Sequence, residues 1–201
     1  QPYGPSKAFG EILVISENAR CFREGMRCGV MRYGNVLGSN GSVVQVWQAQ
    51  LANGLAPTVS DQRMTRFWLT LDDAVAYVLR AISDLRGGEI FLPMLKAAPM
   101  LRVLEAVAPG CEPTITGIRP GGEKLHEVLV SEDEVRRARR RNSWVIIPPT
   151  DTTDLWDRGL WLGEPVADDF EYRSDTWANA WTVDELRAVL NLSRSPSVAA
   201  A

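Results

Sequence analysis

The sequence predicts an α/β fold. Three observations carry that expectation. A long helical pattern opens the chain, a short apolar run follows it after a glycine, and short apolar runs then alternate with helical stretches.

Residues 5–23 read as a helix, with Phe9, Ile12, Leu13, Ile15, Ser16 and Ala19 forming a mostly apolar stripe at three- and four-residue spacing. Gly25 stands where a left-handed residue would stop that helix. Cys28–Tyr33 (CGVMRY) is a short apolar run suited to a buried strand. Gly34–Ser42 is rich in Gly, Asn and Ser and reads as a loop, and Val43–Ala52 reads as a second helix. Arg66–Thr70 is a strand candidate. Thr70-Leu71-Asp72-Asp73 has the form of an N-cap with acids in the first turn, which places a helix over Leu71–Ser83 that ends before Gly87-Gly88. Glu89–Leu92 reads as a strand and Met100–Ala108 as a helix, with Thr114–Ile118 and Trp144–Ile147 as further strands. The small, polar tail after Leu192 is expected to be disordered. The chain opens Gln1-Pro2-Tyr3, without Met, directly into a helical pattern, and so reads as a fragment that begins inside a domain.

The 201 residues allow one domain with a substantial core, or a domain plus a small lobe. A net charge of -3 exerts no general pull on nucleic acid or on an anionic membrane, so an anionic ligand would need a local cluster of Arg and Lys. No apolar run approaches the ~20 residues that cross a bilayer. Three cysteines without CxxC spacing and a single histidine argue against a disulfide framework or a metal site, and a reducing cytoplasm fits them best.

Tyr3 and Lys7 are spaced by four, one turn apart on one helical face. A phenol is too weak an acid to serve as a base at neutral pH, and a nearby ammonium favours the phenolate. Such a pair can take a proton from a hydroxyl while hydride leaves for a nicotinamide. Tyr-x-x-x-Lys alone also occurs on surface helices by chance.

The wider context is more specific. Tyr3-Gly4-Pro5-Ser6-Lys7 resembles the YGxSK signature of the extended short-chain dehydrogenases. It is followed in order by Arg32–Ser39 (RYGNVLGS), Gly41–Val44, Met64–Trp68 (MTRFW), Gly87–Phe91 and Gly117–Glu127 (GIRPGGEKLHE). That series is similar to the UDP-N-acetylglucosamine 4,6-dehydratases of the inverting type, over roughly residues 3–134. The resemblance implies the C-terminal part of an NAD(P)-binding Rossmann fold (residues 1–85), a small mixed α/β substrate lobe (mainly 86–192) and a disordered tail (193–201). It implies NADP, with NAD as the alternative, held by Tyr3, Lys7 and Tyr33. Tyr3 and Lys7 would be catalytic, with Tyr3 taking the proton from the sugar's 4-hydroxyl before water is lost across carbons 5 and 6. It implies a UDP-sugar substrate bound by Asn35, Ser42, Val43, Arg66, Arg119 and Glu123, and a homo-oligomer at full length.

The acid and base of the elimination lie, in such enzymes, just upstream of the tyrosine, so the isolated chain is expected to be inactive. Arg66 and Arg119 are the diphosphate candidates, because a guanidinium meets phosphate oxygens as a planar fork. The amides at the start of the Val43 helix suit a phosphate, although Ser42 could equally be a plain N-cap. Asn35 could do no more than permit a tight turn. The run Arg-Pro-Gly-Gly-Glu-Lys carries one more glycine than the usual pattern, which puts the register of Glu123 in question.

His126 is read as structural or as part of the pocket wall. Arg136–Arg141 follows Glu132-Asp133-Glu134 and reads as a solvated, self-neutralising face rather than a nucleic-acid site. The scattered tryptophans read as packing. A 4-epimerase using the same Tyr3 and Lys7 is the nearest rival, and a non-catalytic nucleotide-binding module is a rival of another class.

Overall fold

The computed structural model describes residues 3–119, 123–149 and 163–191; for Tyr3 and Gly4 it describes the backbone alone. The Gly121-Gly122 pair and the 193–201 tail lie outside the described residues.

Helix α1 (Tyr3–Arg23) ends as the sequence predicts. Gly25 takes φ 81°, its N–H bonds the Phe22 carbonyl at 3.1 Å, and the Met26 N–H bonds the Cys21 carbonyl at 3.0 Å. This pair of bonds satisfies carbonyls the helix end would otherwise leave open. The predicted apolar stripe is not the buried face, however. Phe9 and Ile12 are 62% and 60% exposed, while Asn18 and Cys21 are buried and Glu11 and Ile15 half-buried. The sequence pattern found the helix and mistook its packed side, because polar Glu11 and Asn18 make buried hydrogen bonds there.

Those bonds orient α1. Strand β1 (Val30–Met31) is the core of the CGVMRY run. Asn18, late in α1, accepts the Cys28 N–H at 2.9 Å ahead of the strand, and Glu11, early in α1, accepts Arg32 Nε at 2.9 Å after it. The helix therefore runs antiparallel to β1, and its first turns lie beyond the carboxyl end of the strand. Arg32 spends every N–H of its guanidinium. Nε and Nη2 go to Glu11, Nη2 also reaches Glu134 at 2.6 Å, and Nη1 reaches Glu134 at 3.0 Å and the Leu129 carbonyl at 2.9 Å. Burial works to raise the Glu134 carboxyl, but hydrogen bonds from Arg32 and Ser131 outweigh it and hold it below its ordinary value. A depressed carboxyl stabilises the fold above its unfolded-state pKa, and that contribution is lost as pH falls through the folded value. The acid limb of stability should therefore begin below about pH 5, and Glu134→Gln should flatten it in urea melts taken across pH 3–7. Arg32→Ala should cost more, somewhat under the ~3–5 kcal/mol of a fully buried pair, because it leaves two carboxylates facing each other.

Strand β2 (Asn35–Val36) corrects the expectation of an uninterrupted loop at Gly34–Ser42: it pairs in parallel with β4, Asn35 opposite Trp68. Helix α2 (Val43–Ala52) matches its predicted span. After β3 (Thr58–Val59) and β4 (Thr65–Leu69), Thr70 caps α3 (Leu71–Asp84) in a reciprocal box with Asp73. Strands β5 (Ile90–Pro93) and β6 (Lys96–Pro99), helix α4 (Met100–Val107), β7 (Thr114–Ile115) and β8 (Val128–Val130) follow. The remaining elements are α5 (Glu132–Val135), β9 (Arg139–Arg141), β10 (Trp144–Ile147), β11 (Glu164–Pro165), β12 (Tyr172–Arg173) and α6 (Val183–Val189).

The largest described sheet has the order β1-β5-β10-β9-β11, parallel only between β1 and β5, and a second has the order β2-β4-β6. The arginine run is a second correction. It is only in part a solvated face: Arg136 and Arg140 are exposed, but β9 pairs on both edges, Arg139 and Arg141 are half-buried, and one of the three acids set against the run, Glu134, is spent on Arg32. Trp47, Trp68, Trp144 and Trp181 are buried and Trp177 packs on the core, as packing residues should. Among the described residues no helix is long and apolar enough to cross a membrane.

Candidate functional site

Strand β1 leads through Tyr33 and Gly34 into β2, and β2 ends at a cleft of about 340 Å³. Its walls come from β2, the turn before α2, β3, β4, the start of α4 and the two residues Arg119 and Glu123. All six residues singled out for substrate, Asn35, Ser42, Val43, Arg66, Arg119 and Glu123, line it.

One wall is the amino end of α2. The turn that delivers it is closed by Ser42 N–H bonding the Ser39 carbonyl at 2.9 Å and Gly41 N–H bonding the Gln45 side chain at 2.9 Å. Ser42 has N-cap geometry but makes no capping bond with its side chain, and its buried Oγ has no partner among the described residues. A plain cap would have used that hydroxyl on the helix amides. The opposite wall is fixed to this one, since Trp47 Nε1 donates to the Thr58 carbonyl at 2.7 Å and Gln50 brackets Thr58 from the same helix.

The two arginines differ. Arg66 is held: its side chain is 12% exposed, Nη1 donates to the Thr65 and Leu125 carbonyls at 2.7 and 2.9 Å, and Nη2 donates to the Lys124 carbonyl at 2.7 Å. Much of its fork is thus spent on tying β4 to residues 124–125, which leaves a reduced donor edge for a ligand. Arg119 is open, with its side chain 77% exposed and Nε 3.9 Å from Glu123. Glu123 turns into the cleft despite the longer glycine run before it. It accepts from Ser60 Oγ at 3.2 Å and from the Arg119 N–H at 3.2 Å.

Tyr3 lies in the first turn of α1, and its side chain lies outside the described residues. Lys7 is exposed one turn before Glu11, and Tyr33 is 41% exposed just after β1. Since Glu11 grips Arg32, both Lys7 and Tyr33 sit at the carboxyl end of β1, the edge from which the chain runs on to Asn35. Neither lines the cleft itself. In α/β folds ligands bind outside the carboxyl ends of strands. His126 bonds Thr65 Oγ1 through Nδ1 at 2.9 Å and lies 3.8 Å from Asp175, a structural place behind the cleft wall.

The sequence reading missed Thr58, Ser60, Trp68 and Met100, which also line the cleft. Thr58 and Ser60 belong to no motif. Trp68 stood inside one, but as an apolar residue it gave no sign of lining a cleft.

The sequence profile of a family described as polysaccharide biosynthesis protein matches residues 1–149. The chain is 34% identical over 199 residues to a UDP-N-acetylglucosamine 4,6-dehydratase (inverting) of Campylobacter jejuni subsp. jejuni serotype O:2, a match covering 94% of this chain and 58% of the relative. It is also 34% identical to a UDP-glucose 4-epimerase of Rickettsia canadensis, covering 94% of this chain and 57% of the epimerase. The crystal structure of Pen from Bacillus thuringiensis superposes with a TM-score of 0.80 at 29% identity, over 94% of this chain and 56% of that one. The chain thus spans a little over half the length of these relatives, and its fold is part of an NAD(P)-binding Rossmann-type fold. With the profile covering every element from α1 to β10, including the whole cleft, the chain belongs to the polysaccharide biosynthesis protein family.

Proposed function

We propose that the full-length protein is a nucleotide-sugar dehydratase that removes water from UDP-N-acetylglucosamine through a 4-keto intermediate, with NADP as cofactor. The observation that carries this reading is the convergence of Asn35, Ser42, Val43, Arg66, Arg119 and Glu123 on one cleft, lined by β2, the turn that follows it and the earlier part of β4. The amides and the unpartnered hydroxyl at the start of α2 face a diphosphate. Arg66 adds charge and its remaining donors, and exposed Arg119 closes over the same anion. Glu123 accepts from ribose hydroxyls, and Asn35 bonds the sugar or the diphosphate.

Tyr3, Lys7 and Tyr33 hold the nicotinamide half at the carboxyl end of β1, a place their positions fit. A bound nicotinamide supplies a reversible hydride acceptor. Lys7 favours the Tyr3 phenolate, and Tyr3 takes the proton of the 4-hydroxyl. The acid and base of the elimination belong to the segment upstream of Tyr3. Inversion at carbon 5 is the finer part of the reading, supported by the name of the Campylobacter relative.

The test is to incubate the full-length protein with UDP-N-acetylglucosamine and NADP+ and follow product mass. Loss of one water is the expected result. The Rickettsia relative supports a second reading, 4-epimerisation, in which the product keeps its mass and changes configuration. An unaltered substrate would overturn both.

A further inference from the structure

The segment that carries Glu123 into the cleft is held from behind by a polar lattice, of which only Arg66 also lines the cleft. The Thr65 N–H donates to the Leu125 carbonyl at 3.0 Å, and Arg66 takes the Lys124 and Leu125 carbonyls. Glu127 accepts the Phe67 N–H at 3.2 Å and stands 3.9 Å from Arg66 Nε. Ser174 lies on the far side, following β12 and beyond residue 149, where the family profile ends. It is 5% exposed and fully used. Its Oγ accepts the Glu127 N–H at 2.9 Å and donates to the Thr65 carbonyl at 3.1 Å, and its N–H donates to the Glu127 carbonyl at 2.9 Å. Neither Glu127 nor Ser174 lines the cleft, yet each binds a neighbour of a residue that does. Burial drives the Glu127 carboxyl above its ordinary value against the pull of Phe67, Arg66 and Lys124. The Phe67 N–H and the nearby Arg66 offset part of the cost of desolvating that carboxyl.

We propose that Glu127 and Ser174 are positioning residues for nucleotide binding: they lock Arg66 and the Glu123 segment in register across β4, so that the last third of the chain shapes a cleft it does not line. This rests on the cleft being the UDP site. Deleting either group leaves a buried amide without its partner and frees the segment to shift, which moves Arg66 and Glu123 together. The reacting end of the sugar lies elsewhere, so binding should suffer and turnover should not.

The experiment uses the full-length enzyme. UDP is titrated calorimetrically, and KM and kcat are measured for UDP-N-acetylglucosamine. Ser174→Ala and Glu127→Ala should each raise the UDP Kd and the KM roughly tenfold, the share of one lost buried hydrogen bond, with kcat within about threefold of wild type. Glu127→Gln keeps an acceptor for the Phe67 N–H and should recover most of the affinity. If Glu127→Ala does not fold, Ser174→Ala, which removes one hydroxyl, decides alone. Wild-type UDP affinity in the folded variants, or a fall in kcat at constant KM, overturns the proposal and leaves the reading of the cleft intact. A wild-type enzyme that binds no UDP overturns both.

Discussion

Tyr3→Phe in the full-length protein should abolish turnover almost completely while leaving substrate affinity close to wild type. The substitution deletes one oxygen at the head of α1, and the phenyl ring that remains is apolar and of nearly the same shape. On the proposed mechanism, what is lost is the group that accepts the hydroxyl proton. Positioned proton transfer is worth about 10²–10⁴-fold, so kcat should fall by at least that range. Because the cleft residues lie on other elements, KM for the UDP-sugar should move by no more than about twofold, the pattern of an interaction made only in the transition state. Lys7→Met should act in the same direction, since it removes the charge that favours the phenolate one turn away. Steady-state kinetics with UDP-N-acetylglucosamine decide the matter. Full activity of Tyr3→Phe would show that another group takes the proton.

How much of this was legible depended on whether a feature is written locally. Helices α2 and α3 declared themselves through periodicity and the Thr70 cap, and β10 through an unbroken apolar run, Trp144–Ile147, buried on both faces. Gly25 ended α1 as a local rule requires. Strand β2 was hidden, because its two residues sit among Gly, Asn and Ser and become a strand only when β4, thirty residues on, lies beside them. The arginines of β9 misled for the same reason: charge suggested solvent, while the sheet that accommodates them and the Arg32–Glu134 bonds are long-range facts. The site divided along this line as well. Arg66, Arg119 and Asn35 came from motifs, but nothing near Thr58 or Ser60 in sequence says that β3 pairs in parallel with β7, that both residues line the cleft, or that Ser60 bonds Glu123. Nor does a motif show that Arg66 spends most of its fork on carbonyls.

Gly34→Ala should be the most damaging single-methyl change near the cleft. A Cβ at this position would stand 2.3 Å from the Phe67 carbonyl oxygen and 2.7 Å from its carbonyl carbon, with the Phe67 Cβ at 2.6 Å. The obstruction is largely backbone, so no rotamer change relieves it. Phe67 cannot retreat either. It is fully buried in β4 between β2 and β6, with its ring edge-on to Tyr172 at 4.8 Å. The methyl must therefore push β2 away from β4, at a cost at or beyond the upper end of the ~1–3 kcal/mol typical of overpacking. Asn35 is the next residue, so the same displacement opens one wall of the cleft and should weaken UDP binding along with stability. Gly38→Ala is the matched control. It has nothing within 4 Å and suffers only from its left-handed φ of 70°, a strain of about 1–2 kcal/mol with no steric push on β4. Urea denaturation and UDP titration of both variants in the full-length protein should rank Gly34→Ala clearly below Gly38→Ala in stability and in affinity. Equal stability of the two would mean that β2 does not lie against Phe67, and the cleft would lose the strand that brings Asn35 into it.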